Sequence, residues 1–493
     1  MKKMKKRMLA ALAVGTAVSA VLPSVASADT LEAAQHGVFP DSAAINSIWV
    51  IVAGCLVMFM QAGFAFLEIG FSRAKNAGTV VAKILANFSI ATIGWYACGF
   101  AFAFGTGQII GHDGFLLQDF GNPLKAFPVM GLSDATVESK WFFQLVFCAV
   151  SLAIVWGTTL ERIKFGVYVI YALVFSTLIY PIGAHWVFGG GWLQANVGMQ
   201  DFAGSTAVHL IGATGGLAVL LLLGARKGKY SSEGKPRPIP GHSMPLFGLG
   251  ILILWLGWFG FNPGSTLGAL DGRFPEVLMI TQLAAAAGVI TAAITSRLLQ
   301  KTLDIGMIGN GAIAALVAIT APSGYVEAWA AIPIGAVAGV IVVVGVLAID
   351  RVIDDPVGAL SAHGLAGIWG TLSCGFFTSP RLAEYNGFGN PDGGLLYSGS
   401  FAQLGHQALG VVVAFSFVFA ASFATFWIIK KVYGLRVTEE QEDAGLDISE
   451  HGMYGYPEQF IPPEEYPGGV AAPVRPTVPA PATAMMSDQP SKA

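Results

Sequence analysis

The 493-residue chain is 54% hydrophobic and 12% charged, with 27 Lys and Arg, 30 Asp and Glu and a formal net charge of -3 at pH 7. Soluble domains carry about 25% charged residues, so a soluble globular protein is excluded. The charges sit in loops and tails, and the net value does not point to a nucleic-acid partner.

The first stretch, "MKKMKKRMLAALAVGTAVSAVLPSVASADT", has a basic start, a short apolar core and Ala26-Ser27-Ala28 before Asp29. This pattern predicts a secretory signal peptide over 1–28, with a retained first helix as the alternative. Cleavage would place the mature N-terminus outside the cytoplasm. Apolar runs of about 20 residues then recur, the length that crosses a bilayer core of about 30 Å. They begin near Ile45, Val80, Trp141, Phe165, Thr206, Met244, Val277, Ile305, Trp329, Leu360 and Ala402. The run from Ile305 is rich in Gly and short before Pro322.

Eleven spans put the termini on opposite sides. With the N-terminus outside, the inner loops hold Arg73, Lys75, Arg162, Lys164, Arg226, Lys227, Lys229, Lys235, Arg237, Arg297, Lys301 and Arg351. Lys430 and Lys431 close the last span, and the outer loops keep only Lys125, Lys140, Arg273 and Arg381. This bias places the C-terminus in the cytoplasm. A transmembrane domain over 29–431 is expected, followed by a charged tail (432–460) and a Pro/Ala-rich end (461–493) expected to be disordered. Gly335 and Gly339, at GxxxG spacing, suit close helix contacts. Cys55, Cys98, Cys148 and Cys374 lie in apolar runs without metal spacing and read as packing residues.

Within the fifth span, "DFAGSTAVH" (201–209) sets Asp201 eight residues before His209; in the tenth, "DPVGALSAH" (355–363) repeats the spacing with Asp355 and His363. An offset of five spans runs the two helices in opposite directions, the signature of an inverted repeat with its site near the midplane. Asp355 with Pro356 reads as an N-cap with proline in the first helical position, and Asp201 as a second cap. Eight helical residues rise about 12 Å, which carries both imidazoles toward the middle of the bilayer. Two neutral imidazoles can hydrogen-bond to each other and still face a lumen; the alternative is that each merely satisfies a helix contact. Ionisable residues inside a membrane are functional candidates by default. His185 and His406 read as interfacial or packing residues, and His36, His112, His242 and His451 as loop or tail residues.

Trp258 and Phe261 in "GWFGFNPGS" share a helix face, as do Phe143 and Phe147. Aromatic faces attract small cations, although an interfacial aromatic belt would give the same pattern. The water-exposed segments hold no phosphate loop, metal cluster or nucleophile-base arrangement, so neither an enzyme nor a cofactor is expected.

Together, "FAFLEIGFSRAKNAG", "DFAGSTAVHLIGATGGL", "GWFGFNPGS", "DDPVGALSAHGLAGIWG" and "GLRVTEEQEDAGLDISEHG" resemble the ammonium transporter (Amt/Mep/Rh) family, its bacterial and plant Amt branch in particular, over roughly residues 45 to 456. The resemblance implies an all-α polytopic membrane protein of the plasma membrane, with eleven helices in an inverted five-helix pseudo-repeat. It also implies a homotrimer with one conduction path per subunit. By the same resemblance, Phe147 and Ser265 match an outer ammonium-recruiting site and Trp258 an aromatic lining the path. Phe147 and Phe261 match a stacked gate, His209 and His363 the twin pore histidines, and Asp201 and Asp355 the acids opening their helices. Phe188 stands where the family commonly has tryptophan, so a rebuilt outer site is expected, with Trp186 or Trp192 nearby.

The implied substrate is ammonium or ammonia, with methylammonium as analogue. A bare ion in a low-dielectric medium costs tens of kcal/mol by Born estimates, and ammonia far less. The expected scheme is recruitment of ammonium, loss of its proton, and passage of ammonia along the histidines. The tail, with Leu435, Val437, Leu446 and Ile448, is expected to dock under the bundle. Its acids Glu439, Glu440, Glu442 and Asp443 are expected to meet Arg226, Lys227 and Lys229. The resemblance further implies docking of a PII-type signalling protein there. An ammonium sensor signalling through its tail, and an Rh-like ammonia or carbon dioxide channel, are the alternatives.

Overall fold

A helix satisfies every backbone N–H and C=O within its own segment, which is what an apolar run facing hydrocarbon requires. The apolar runs fold accordingly. The computed structural model describes residues 40–118 and 126–460, and among them there is no β-strand, only isolated bridges such as Ile163 with Arg436. The expected signal peptide, the Pro/Ala-rich end, His36 and Lys125 lie outside the described residues.

The long helices in chain order are α1 (Asp41–Phe71), α2 (Ala74–Phe104), α3 (Val137–Gly157), α4 (Phe165–Val187), α5 (Ser205–Leu223), α6 (Met244–Gly264), α7 (Phe274–Gln300), α8 (Ile305–Thr320), α9 (Ala328–Ile349), α10 (360–377) and α11 (Ala402–Val432). Nine of them, among the described residues, are long and apolar enough to cross a membrane. The other two are α8, with 16 residues, and α10, a π-helical turn at Leu360–Leu365 continued by Ala366–Phe377.

The packing repeats with an offset of five helices. α1 lies on α3 and α3 on α5, just as α6 lies on α8 and α8 on α10; both α5 and α10 rest on α11. Small residues permit the closest approaches. A side chain at Gly335 of α9 would run into the Ala284 carbonyl of α7, and one at Gly339 into that of Gly288, which is the role GxxxG spacing serves. Cys148 and Cys374 are fully buried as expected. Cys55 is not: it lies on the outward stripe of α1 with the exposed Ile51, Val52 and Met58.

The basic loop residues Arg73, Lys75, Arg162, Lys164 and Lys227 come together at one end of the bundle, where the chain after α11 folds back on them. Two short helices form there, α12 (Glu439–Ala444) and α13 (Leu446–His451). α12 opens with a capping box between Thr438 and Gln441, which satisfies two orphan backbone donors reciprocally. The Lys75 ammonium donates to the carbonyls of Glu442 at 2.8 Å and Asp443 at 2.6 Å, and the Val437 amide donates to the Arg162 carbonyl at 3.1 Å. Leu435, Val437 and Leu446 are buried beneath the bundle, and Ile448 is half-buried.

The charge pairing differs in part from expectation. Lys227 does meet the tail, at 2.6 Å from Asp443 and 3.7 Å from Glu439. Arg226 and Lys229 instead pair with Asp354 and Asp350, each closing at 2.9 and 2.6 Å respectively. The reason is burial: Arg226 is drawn inward by a carboxylate that needs a partner more than a solvated tail acid does. Glu442 takes Arg436 at 2.6 Å and the Lys227 backbone amide at 2.7 Å.

Candidate functional site

The two Asp-His segments share a fuller pattern than their spacing alone: Asp201-x-x-Gly204 and Asp355-x-x-Gly358, each followed five residues later by histidine. Gly204 has φ +118° and Gly358 φ +72°, a region where L side chains are strained. Each glycine turns the chain into a π-helical segment, Ser205–Leu210 and Leu360–Leu365, and each histidine sits inside one. Single π turns within longer helices are often found at functional sites.

Asp201 caps its helix fully. One carboxylate oxygen accepts the amides of Gly204 (2.8 Å) and Ser205 (3.0 Å), the other those of Thr206 (2.9 Å) and Ala207 (3.0 Å). Asp355 accepts Leu360 at 2.7 Å. Pro356 is not the first helical residue, as the sequence suggested; it lies in a turn, and the helix starts after Gly358. The same loop geometry before both helices shortens the expected helical rise of about 12 Å.

The pair nevertheless meets. His209 Nδ1 and His363 Nδ1 lie 3.2 Å apart, with ring centroids at 5.3 Å and planes 20° from parallel. One imidazole must donate and the other accept, so the rings hold opposite tautomers: one presents an accepting Nε2, the other a donating Nε2–H. His209 is fully buried, and its Nε2 has no hydrogen-bond partner among the described residues.

Aromatic rings continue from the pair in one direction. His209 stacks on Trp258 at 5.4 Å and on Phe261 at 5.5 Å, and Phe261 stacks on Phe147 at 4.0 Å with 19° between planes. Trp258 is fixed by its indole N–H donating to Thr320 at 3.0 Å. The Phe147–Phe261 stack is buried and closes the column. Beyond it opens a vestibule of about 230 Å³ lined by Phe104, Gln144, Phe147, Phe188, Phe202 and Ser265 among others.

The structure therefore brings Phe143, Phe147, Phe261, Trp258, His209 and His363 together along one line. Phe188 lies 6.4 Å from Phe147, edge on, in the vestibule wall. Trp186 and Trp192 do not rebuild that wall: they pair with each other, and the Trp186 indole donates to the Ile109 carbonyl. Gln144 and Phe202 were missed; Gln144 is one helical turn from Phe147, a spacing that would have flagged it. His185, read as packing, is fully buried between the carbonyls of Ala103 and Gly107.

At the opposite end, next to Asp355, a charged network ties the loops together. Arg226 grips Asp354 through two bonds of 2.9 Å, Arg162 donates to the Asp354 carbonyl at 2.8 Å, and Arg73 meets Glu161 at 2.5 Å. Burial of Asp354 opposes its ionisation, but the Arg226 hydrogen bonds and the charges of Arg162 and Arg226 outweigh it and hold the carboxyl at about 2.

The arrangement offers a buried column of stacked aromatic rings, a hydrogen-bonded imidazole pair at its foot, and an aromatic vestibule at one mouth. No group of three or more metal-binding side chains occurs among the described residues.

A family model described as Ammonium Transporter Family matches residues 48–456. The chain is similar to "Ammonium transporter Amt2" of Archaeoglobus fulgidus, 43% identical over 435 residues, which span 86% of this chain and 90% of that protein. Among solved structures it is similar to one titled "Sensor Amt Protein", with a TM-score of 0.75 at 36% identity, covering 83% of this chain and 99% of that one. It is also similar to Candida albicans Mep2, with a TM-score of 0.75 at 28% identity, covering 88% and 94%.

Proposed function

The chain belongs to the ammonium transporter family and is a multi-pass membrane protein; from that premise we propose that it carries ammonium nitrogen across the plasma membrane as ammonia along the His209–His363 pair. The observation that carries this reading is the 3.2 Å histidine contact at the foot of the aromatic column. In the proposal all eleven helices span, as two inverted sets of five and a closing α11. The vestibule faces outward, the tail lies in the cytoplasm, and three subunits assemble with one path each.

Ammonium collects in the vestibule, where Phe147 and Phe188 supply aromatic rings and Ser265 a hydroxyl, while Trp258 lines the column beyond the stack, against His209. The column beyond is too apolar for a bare ion, whose desolvation costs several kcal/mol even after relaxation. The ion therefore gives up its proton to water in the vestibule, and ammonia slips past Phe147 and Phe261. Along the histidines it finds one accepting and one donating nitrogen, which replace part of its lost hydration.

The tail is the control element in this reading: it binds the loops around the inner mouth, where a PII-type protein would close the path. Its many bonds to those loops also favour a second reading, a sensor in which ammonium occupancy is passed to the tail. Uptake of labelled methylammonium into reconstituted vesicles separates the two. Transport predicts saturable uptake above protein-free vesicles; ammonium binding without uptake would favour the sensor and overturn the transport proposal.

A further inference from the structure

On the tail side of the histidines, α1 carries a carboxylate that the scheme above does not use. Glu68 is 1% exposed, and neither carboxylate oxygen has a hydrogen-bond partner among the described residues. It lines a small cavity together with Phe64, Asn310, Val357 and His363. Phe64 lies one helical turn from Glu68 on the same face of α1, and its ring is 6.4 Å from the His363 imidazole. Glu68 therefore follows His363 in the column, about 6 Å further toward the end of α1 where the tail binds.

Leaving a buried carboxylate without partners costs several kcal/mol, a cost that an apolar residue would avoid. The cavity volume is about 20 Å³, and about 10–15 Å³ by the same measure admits one water. Ammonia is the size of water. His363 lines the same cavity, and the charge of Lys83 on α2, itself 2% exposed with its ammonium 4.5 Å above the Tyr168 ring, acts on the carboxylate.

We infer that Glu68 is the proton-exchanging group at the inner end of the path. Ammonia that has passed His363 takes the proton of the Glu68 carboxylic acid: the O–H bond breaks, an N–H bond forms, and ammonium is held against the carboxylate. The ion leaves to water at the tail side, and a hydronium ion from that water returns a proton to Glu68. Lys83 balances the carboxylate charge between turnovers.

This inference rests on the transport reading, and wild-type uptake scores that reading separately. Full-length Glu68→Gln, reconstituted and checked for wild-type elution in detergent, should lose at least tenfold in methylammonium uptake. The double variant Glu68→Gln/Lys83→Met should stay equally impaired. Recovery in the double variant would mean that Glu68 only neutralises Lys83, and wild-type uptake by the single variant would mean that it exchanges no proton; either overturns the inference. A second measurement covers a variant that fails to assemble, and it needs no transport. Ammonium-induced infrared difference spectra of the wild type should show a carboxyl C=O band that shifts in Glu68→Asp. An absent or unshifted band overturns the inference.

Discussion

The carboxylate of Asp447 accepts the Thr79 amide at 2.7 Å and its hydroxyl at 3.0 Å, while its second oxygen accepts the amides of Gly78 at 2.9 Å and Gly455 at 3.0 Å. Gly78 and Thr79 lie in the first turns of α2, where backbone donors have no intrahelical partner and the helix dipole favours an anion. One tail residue thereby closes the start of a membrane helix.

Asp447→Ala should release the tail. It orphans several donors, each costing about 1–3 kcal/mol when left buried, so limited proteolysis should cut between 433 and 456 faster than in the wild type. Uptake should change in the same direction as on truncation after Lys431, whereas removal of residues 463–493 should change neither. Asp443→Asn should matter little, because its partner Lys227 lies in solvent that screens the pair. A tail that stays protected in Asp447→Ala would show that the apolar contacts of Leu435, Val437 and Leu446 hold it alone.

Asp354 gives a pH signature. Its folded value of about 2 lies below the ordinary 3.8, so its contribution to stability is complete above the unfolded value and is lost as pH falls through about 2. A displacement of that size corresponds to roughly 2–3 kcal/mol. Asp354→Asn should therefore unfold at lower temperature than the wild type at pH 7, with the gap narrowing as pH approaches 2. A gap that is unchanged in acid would assign the loss to packing rather than charge.

Much of this architecture was legible because membrane helices announce themselves by length, and the histidines by their rarity in apolar sequence. Asp201, His209, Asp355 and His363 could be paired from spacing, and Trp258, Phe261, Phe143 and Phe147 from helical periodicity. The entry into α10 was not, because Pro356 fits both the first turn of a helix and the turn before one, and only Gly358 with its positive φ decides between them. Charge partners were also hidden. Arg226 and Lys227 are neighbours in sequence, yet one turns inward to Asp354 and the other outward to Asp443, a choice set by burial. Asp447 and Glu68 went unnoticed because each is one acid among many until its partners, or their absence, can be seen.

Phe188 tests the vestibule. Tryptophan is the strongest of the cation-binding aromatics, with contributions of about 0.5–2 kcal/mol depending on desolvation. Because Phe188 already lies in the vestibule wall beside Phe147, Phe188→Trp adds only the difference between the two rings and should lower the half-saturating concentration of methylammonium by a few-fold, below the roughly thirtyfold that the whole contribution would give. The same substitution should leave the rate at saturation nearly unchanged. No shift in half-saturation would place ion recruitment elsewhere in the vestibule.

The histidine pair is tested most directly by a double-mutant cycle on His209→Ala and His363→Ala, with labelled uptake and membrane current recorded in the same vesicles. Residues in contact couple, and these two share one hydrogen bond of 3.2 Å. Each single variant should assemble and yet lose uptake or change its ratio of current to uptake, and the double variant should be little worse than the more impaired single one. Wild-type uptake and current in both single variants would contradict conduction along the pair.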